Sequence, residues 1–589
     1  MFNNSSAKVF YEIKSPKMKY LIPFLLIAIL SYQATSAQTK DYHEKYIVQD
    51  SISLTLPSGG NVCALVIRKD TNIQQPCLLI YNIYADTSAR KYESRKSLAG
   101  KGYVVIEVNA RGKYCSTDAL EPFEHEAEDG YYIIDWISKQ PWCNGKVGML
   151  SGSYLGFTQW ATAKHLHPAL KTIVPAVAVA PGVDFPFQNG VPLSYMLRWL
   201  HLVSDHKLTN YGVFTDSARW NNVFLKWYQS GAKFSSLDSI EGAKHPLFQR
   251  WLQHPDYDEY WKKMTPQGKD FANINIPVLS ITGYWDDDQL GAMYYYKQHL
   301  LHNKNANHYL VIGPYDHGHA QSGGIDTLAG LPIDSAAILG GNLVYKWFDY
   351  ILKDSSKPAL LSNKVNFEIL GKNEWKHVAS LNEMYNDSLE LFLSNGNLQK
   401  TKPAHTQFIQ QTINFKNRAS IKQSGDDIIN FPTLVLDSLS LLPEQLIFAS
   451  EPVETPFAIS GSYEANLNFS INKKDVDIRI ELYEQLPNGK YVAFSSTVQR
   501  ASYAKSRSQR QLLQPDKKET LKINNTYAIS KQLSKGSRIV AVIGVNKTPY
   551  WQINYGTGKN VSEEDMSDAK DPLKIKWYDD SYLKFHILK

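Results

Sequence analysis

The feature that most constrains this chain is a single nine-residue run. Gly148-Met-Leu-Ser151-Gly152-Ser153-Tyr154-Leu155-Gly156 joins an apolar, strand-like stretch at 147–150 to a helix-like stretch at 157–164. A strand that turns sharply into a helix tolerates only small residues at the turn, and a serine there stands proud of the strand end with its Oγ exposed. Ser153, set between Gly152 and Gly156, is favoured as the nucleophile over Ser151. The pattern is Gly-Ser-Tyr-x-Gly rather than strict G-x-S-x-G, so it gains weight only from partners elsewhere in the chain.

A serine nucleophile needs a base, and the base needs an orienting acid. Short apolar runs at 62–67, 77–81, 103–108 and 145–150 read as strands, with an amphipathic helix over 125–139 between the last two. The alternation resumes with strands at 276–282 and 309–312 and a helix around 339–352. Strands alternating with helices imply a mostly parallel sheet covered on both faces. The strand at 276–282 ends in Gly283-Tyr-Trp-Asp286, and that at 309–312 in Gly313-Pro-Tyr-Asp-His317. Serine, acid and histidine thus follow three strands in the order such a sheet requires. Asp287 and Asp288 compete with Asp286 for the acid, and His319 with His317 for the base.

Between these halves, residues 183–268 are rich in Trp and Tyr, helical in periodicity and without strand runs, as expected of an inserted helical cap. Its Trp199, Trp220, Trp227, Tyr228 and Trp251 read first as core and second as the wall of an acyl pocket. Beyond about residue 364 helices nearly vanish. Separated strand runs at 365–370, 389–393, 465–471, 477–482 and 538–545 predict a β-sandwich or jelly roll. A carbohydrate-binding module is the functional alternative for this tail. The acidic stretch 563–568 lacks EF-hand spacing and reads as a solvated loop rather than a calcium site.

Lys17 and Lys19 precede the apolar run 21–30, and Ala34-Thr-Ser-Ala37 offers a small-residue cleavage site. Residues 1–37 therefore read as a cleaved secretory signal, since ten apolar residues are too few to span a bilayer. They carry four Lys and one Glu, so their loss reduces the formal charge of the 589-residue chain from +6 to +3. So small a surplus excludes a nucleic-acid footprint, and no membrane anchor is expected after cleavage. The four cysteines, Cys63, Cys77, Cys115 and Cys143, form no CxxC pair. One or two disulfides are compatible with export; Cys115 and Cys143 flank one helical segment and could pair, free buried thiols being the equal alternative, and the connectivity is not readable from sequence.

Taken together, 148–160, Asn82-Ile-Tyr84, Arg111-Gly112, Gln140-Pro-Trp-Cys-Asn-Gly145, Gly283-Tyr-Trp-Asp286 and Gly313-Pro-Tyr-Asp-His317 resemble one family. It is the group of X-prolyl dipeptidyl-peptidases, cocaine esterase, glutaryl acylases and α-amino-acid ester hydrolases. The resemblance runs from about residue 50 to the C-terminus. It implies an α/β-hydrolase core at 38–182 and 269–363, a helical cap at 183–268 and a jelly-roll domain at 364–589. It further implies Ser153 as nucleophile, Asp286 as orienting acid and His317 as general base. The oxyanion hole would combine the Tyr84 hydroxyl with the backbone N–H of Tyr154. No metal or organic cofactor is required. Asn109-Ala-Arg111-Gly112 departs from the family's Asp-x-Arg-Gly at a position that looks structural.

Family members acting on free α-amino acyl groups carry acidic residues near the catalytic site. Asp287, Asp288 and Asp184 are thereby candidates to pair with a substrate ammonium, a solvated loop or helix N-cap being the plainer reading. The expectation is an exported serine hydrolase of short peptides or aminoacyl esters and amides, X-Pro dipeptidyl-peptidase-like. An α-amino-acid ester hydrolase or acylase is the rival within the class, and an inactive binding protein the rival outside it. Oligomeric state is left open, a homo-oligomer included.

Overall fold

The computed structural model describes residues 45–418, 433–439 and 444–589; the signal region at 1–37 lies outside them. The catalytic half is a ten-stranded sheet. Its strands are β1 (Tyr46–Thr55), β2 (Asn61–Lys69), β3 (Gln75–Asn82), β4 (Val104–Asn109), β5 (Cys143–Ser153) and β6 (Leu170–Ala178). They continue with β7 (Val278–Trp285), β8 (His308–Asp316), β9 (Val365–Ile369) and β10 (Glu374–Val378). The spatial order is β1-β2-β4-β3-β5-β6-β7-β8-β9-β10. From β4 to β9 every neighbouring pair is parallel, and antiparallel pairs close both edges. All residues of β7 and β8 are buried, as strands covered on both faces must be.

Helices α1 (Ala89–Gly100), α2 (Glu126–Ser138) and α3 (Tyr154–Lys164) return the chain between the early strands. Only the last residue of α3 escapes burial, because the helix runs through the middle of the fold. Gly156 lets it approach β6: a Cβ there would sit 2.8 Å from the Ala178 backbone. The cap, inserted between β6 and β7, holds α4 (Tyr195–Ser204), α5 (Ser217–Ser230) and α6 (Pro246–Leu252), with a short hairpin at 187–192. After β7 come α7 (Gln289–His302) and, before β9, α8 (Asn342–Leu352).

The tail is a fourteen-stranded sheet among the described residues, starting at Asp387–Ser394 and folded back on itself. Two expectations are corrected here. The run at 365–370, expected to open the tail, forms β9 instead and pairs in parallel with β8, so the catalytic sheet extends past 363 to Val378. The disulfide joins Cys63 to Cys115, with Cα atoms 5.5 Å apart, while Cys77 and Cys143 are free and buried. The reason is tertiary: β2 pairs with β4 so that Cys63 faces Asn109, which places Cys63 against the loop that follows β4. Among the described residues no helix is long and apolar enough to cross a membrane.

Candidate active site

β5 ends on Ser153, whose φ of +62° and ψ of −128° make the sharp turn into α3. Gly152 is required beside it, because a Cβ there would meet the Ala176 carbonyl at 2.9 Å and the Gln321 amide oxygen at 2.4 Å. Ser151 also carries a positive φ, +107°. Ser153, not Ser151, occupies the strand-to-helix corner.

β7 delivers the acid. Asp286 is fully buried and accepts the Thr282 hydroxyl at 2.6 Å on Oδ2 and the Asp288 N–H at 3.1 Å on Oδ1. Its Oδ1 also takes His317 Nδ1 at 2.9 Å, His317 following the end of β8. A histidine with Nδ1 held by a carboxylate presents Nε2 as the base. His319 is engaged elsewhere, with Nδ1 2.7 Å from Asp316 Oδ1. Asp287 Oδ1 lies 3.1 Å from His317 Nδ1 and Asp288 Oδ2 3.7 Å from it, so three carboxylates face one imidazole. Burial pulls the His317 pKa down, but the charges of Asp287, Asp286 and Asp288 outweigh it and hold the ring well above its ordinary value. Burial raises the Asp286 pKa against the opposing pull of His317. Asp286, Asp287 and His317 also bring three ligand-type atoms within 4.8 Å of one another; these are the atoms of the acid–base contact.

Tyr84 follows β3 and is fixed by Asn82, whose side chain accepts the Tyr84 N–H at 2.8 Å and donates to the Tyr84 carbonyl at 3.0 Å. Its hydroxyl accepts the Trp199 indole N–H from α4 at 3.0 Å, which leaves the phenolic proton free for another acceptor. Burial pushes the Tyr84 pKa up to about 12, keeping the phenol a donor at neutral pH. Tyr154 begins α3 immediately after Ser153, so its backbone N–H belongs to the helix N-terminus. Its ring is locked from behind: the hydroxyl donates to the buried Glu126 carboxylate and accepts the Phe123 N–H at 3.0 Å. Arg111 pairs with Asp129 through Nε at 2.7 Å and Nη2 at 2.6 Å and serves the scaffold.

Ser153, Tyr84, His317 and the aspartates 286–288 line one cavity of about 800 Å³. Asp288 sits at the N-cap position of α7 yet makes no side-chain capping hydrogen bond. Asp287 Oδ1 is buried and has no hydrogen-bond donor beyond His317. Asp184 also lines the cavity, but its oxygens accept the backbone N–H groups of Ala180 at 2.9 Å and Gly291 at 2.6 Å. It pins the cap entrance to α7 rather than standing free for a ligand. Of the cap aromatics, Trp220, Trp227, Tyr228 and Trp251 are buried core, whereas Trp199 lines the cavity. The contacts of Trp199 with Tyr84 and of Glu126 with Tyr154 left no trace in sequence spacing. Nor did the participation of the tail: Tyr527 donates to the Asp287 carbonyl at 3.2 Å.

Residues 59–319 match the model of the X-Pro dipeptidyl-peptidase (S15) family, and residues 362–576 that of the X-Pro dipeptidyl-peptidase C-terminal non-catalytic domain. The cocaine esterase of a Rhodococcus species is 23% identical over 565 residues, covering 89% of this chain and 95% of that protein. Two solved structures share the fold. An aminopeptidase from a marine-sediment Thaumarchaeota archaeon gives a TM-score of 0.78 at 18% identity, over 95% of this chain and all of that one. An α-amino acid ester hydrolase gives 0.76 at 20% identity, over 94% of this chain and all of that one. The two matched regions together span most of the chain, and the protein belongs to the X-Pro dipeptidyl-peptidase (S15) family of serine hydrolases.

Proposed function

We propose that this protein is an exported hydrolase of amide or ester bonds in substrates with a free α-amino acyl group, resembling the X-Pro dipeptidyl-peptidases. The observation that carries the reading is the pair Asp287 and Asp288, in the catalytic cavity and free of capping duty. An ammonium placed there would meet two carboxylates where burial makes uncompensated charge costly.

Ser153 Oγ attacks the acyl carbonyl as His317 Nε2 takes its proton, and Asp286 steadies the imidazolium at Nδ1. The carbonyl oxygen becomes an oxyanion facing the Tyr84 hydroxyl and the Tyr154 N–H, donors worth several kcal/mol of barrier in such sites (about 3–4 kcal/mol for one). His317 then passes the proton to the leaving nitrogen or oxygen as the tetrahedral intermediate collapses to the acyl-enzyme. Water, deprotonated by His317, attacks the ester, and Ser153 leaves with the proton restored.

Export is supported by the pattern at 17–37 and by the Cys63–Cys115 disulfide, a bond that persists in oxidising compartments. A second reading, an esterase of aromatic acyl groups, draws on Phe123, Phe185, Trp199 and Phe214 in the same cavity. One assay separates them: kcat/KM on aminoacyl and X-Pro anilides and esters against their N-acetylated forms. The proposal expects a free-amino preference of about tenfold or more that collapses in Asp288→Asn. Preference for the blocked forms, or an unchanged ratio in the variant, contradicts it.

A further inference from the structure

We propose that the tail carries a carboxylate-recognising subsite built on Arg479, so that the substrates are short peptides free at both ends; this rests on the α-amino acyl reading above. The cavity is not closed by the catalytic sheet and cap alone. Its wall continues onto two tail strands, β11 (Asp477–Gln485) and β12 (Tyr491–Arg500). The Ala493 carbonyl accepts the Trp285 indole N–H at 3.1 Å, which anchors this wall one residue from Asp286.

Along β11 the side chains alternate. Ile478, Ile480 and Leu482 are buried inside the sandwich, while Arg479, Glu481 and Tyr483 take the opposite face and line the cavity. Tyr483 lies opposite Ala493 in register, so the row starts at the catalytic anchor. At ~3.3 Å per residue, Arg479 is about 13 Å further along, the length of a few extended residues.

Arg479 Nη2 donates to Glu481 Oε1 at 2.8 Å, and Gln445 Nε2 takes the other Glu481 oxygen at 3.4 Å. Glu481 is thus engaged on both oxygens. The guanidinium has five N–H donors in a planar fork suited to a carboxylate, and its bond to Glu481 occupies only one of them. Ser495 Oγ and Thr548 Oγ1, which line the same cavity, are more than nine-tenths buried without a hydrogen-bond partner. Unpaired buried hydroxyls are costly, and the amide groups of a bound peptide would satisfy them. A cavity acidic beside the nucleophile, with unused guanidinium N–H donors further along, suits a zwitterionic chain laid between the two.

The test uses the full chain and Ala-Pro-Ala-Ala in four forms: free at both ends, C-terminally amidated, N-acetylated, and blocked at both. kcat/KM is measured for wild type, Arg479→Gln and the milder Arg479→Lys. Calorimetric binding of the same peptides to Ser153→Ala, with and without Arg479→Gln, makes the answer independent of turnover. Wild type is expected to prefer the free carboxylate over the amide by about tenfold or more, a ratio falling to within about twofold of unity in Arg479→Gln and to an intermediate value in Arg479→Lys. A ratio near unity in wild type, an unchanged ratio in Arg479→Gln, or no binding of any form overturns the subsite. The amino-to-acetyl ratio reports separately on the α-amino acyl reading, so the failure of one is distinguishable from the failure of the other.

Discussion

At the scale of single residues, the nucleophile corner carries two non-glycine residues at positive φ, Ser151 at +107° and Ser153 at +62°. The turn at Ser153 sets its Oγ at the strand-to-helix corner, and at Ser151 the carbonyl accepts the Gln159 amide N–H at 2.9 Å while the side chain gains nothing from the positive φ. Ser151→Gly removes the steric penalty of its Cβ, about 1–3 kcal/mol, against about 0.5–1 kcal/mol lost to a more flexible unfolded chain. The variant is expected to be more stable by about 1 kcal/mol, read as a higher denaturant midpoint; a lower midpoint contradicts this. Asp287 makes a second prediction. Its carboxylate, 3.1 Å from His317 Nδ1, helps to hold the ring's pKa high, so Asp287→Asn lowers it. Because the base works only when neutral, the acid limb of the kcat/KM profile should move to lower pH in the variant. An unmoved or upward-moved limb would show that Asp287 does not act on His317. The placement of Ser153, Asp286 and His317 at or just beyond strand ends was legible in sequence, because spacing reveals such positions. Trp199 reads in sequence as core first and pocket wall second, and its bond to Tyr84 is hidden there because it depends on how the cap folds over the sheet.

At the scale of elements, β7, α7 and β8 are tied by a buried polar chain. Ser280 Oγ lies 2.9 Å from His308 Nε2, His308 Nδ1 lies 3.1 Å from His299 Nδ1, and His299 Nε2 lies 2.9 Å from the Ile274 carbonyl. One neutral tautomer of each ring satisfies every contact: His299 donates to Ile274, His308 to His299, and Ser280 to His308. Burial, the main cause, holds the His308 pKa well below its ordinary value and lowers that of His299. Groups with depressed folded pKa values stabilise above the unfolded value, ~6.5, and that stability fades as pH falls below it. The stability difference between wild type and His308→Gln should therefore shrink by about 1 kcal/mol between pH 7.5 and 5.5, measured by urea unfolding; a constant difference would refute the neutral chain. Elements with strong periodicity were readable from sequence. β9 was not assigned to the right sheet because its run fits any strand, and only its pairing with β8 places it. The Cys63–Cys115 bond was hidden for the same reason, since β2 and β4 become neighbours only in the folded sheet.

At the scale of the whole molecule, tail and catalytic half share one interior. Gln289, at the start of α7, donates to the Ala528 carbonyl at 3.0 Å and accepts the Ala528 N–H at 2.6 Å. From the cap, Asn189 donates to the Val498 carbonyl at 3.0 Å and Ser194 to the Pro549 carbonyl at 2.8 Å. Removing the tail would strip buried polar groups of their partners, at about 1–3 kcal/mol each. A chain ended after Val378 is accordingly expected to be insoluble or unlabelled by serine-directed probes; a folded, labelled product would show the tail to be dispensable. Sequence patterning announced the tail as a separate sandwich, but the dependence of the catalytic cavity on its residues became visible only in three dimensions.

The central claim is that Ser153 is the nucleophile of the Asp286–His317 pair. Reaction of the full chain with a fluorophosphonate, followed by mass spectrometry of the digested protein, tests it most directly. The account predicts one adduct, on Ser153, absent in Ser153→Ala and strongly slowed in His317→Ala. An adduct on Ser151, undiminished labelling in Ser153→Ala, or no labelling of the wild type would contradict it.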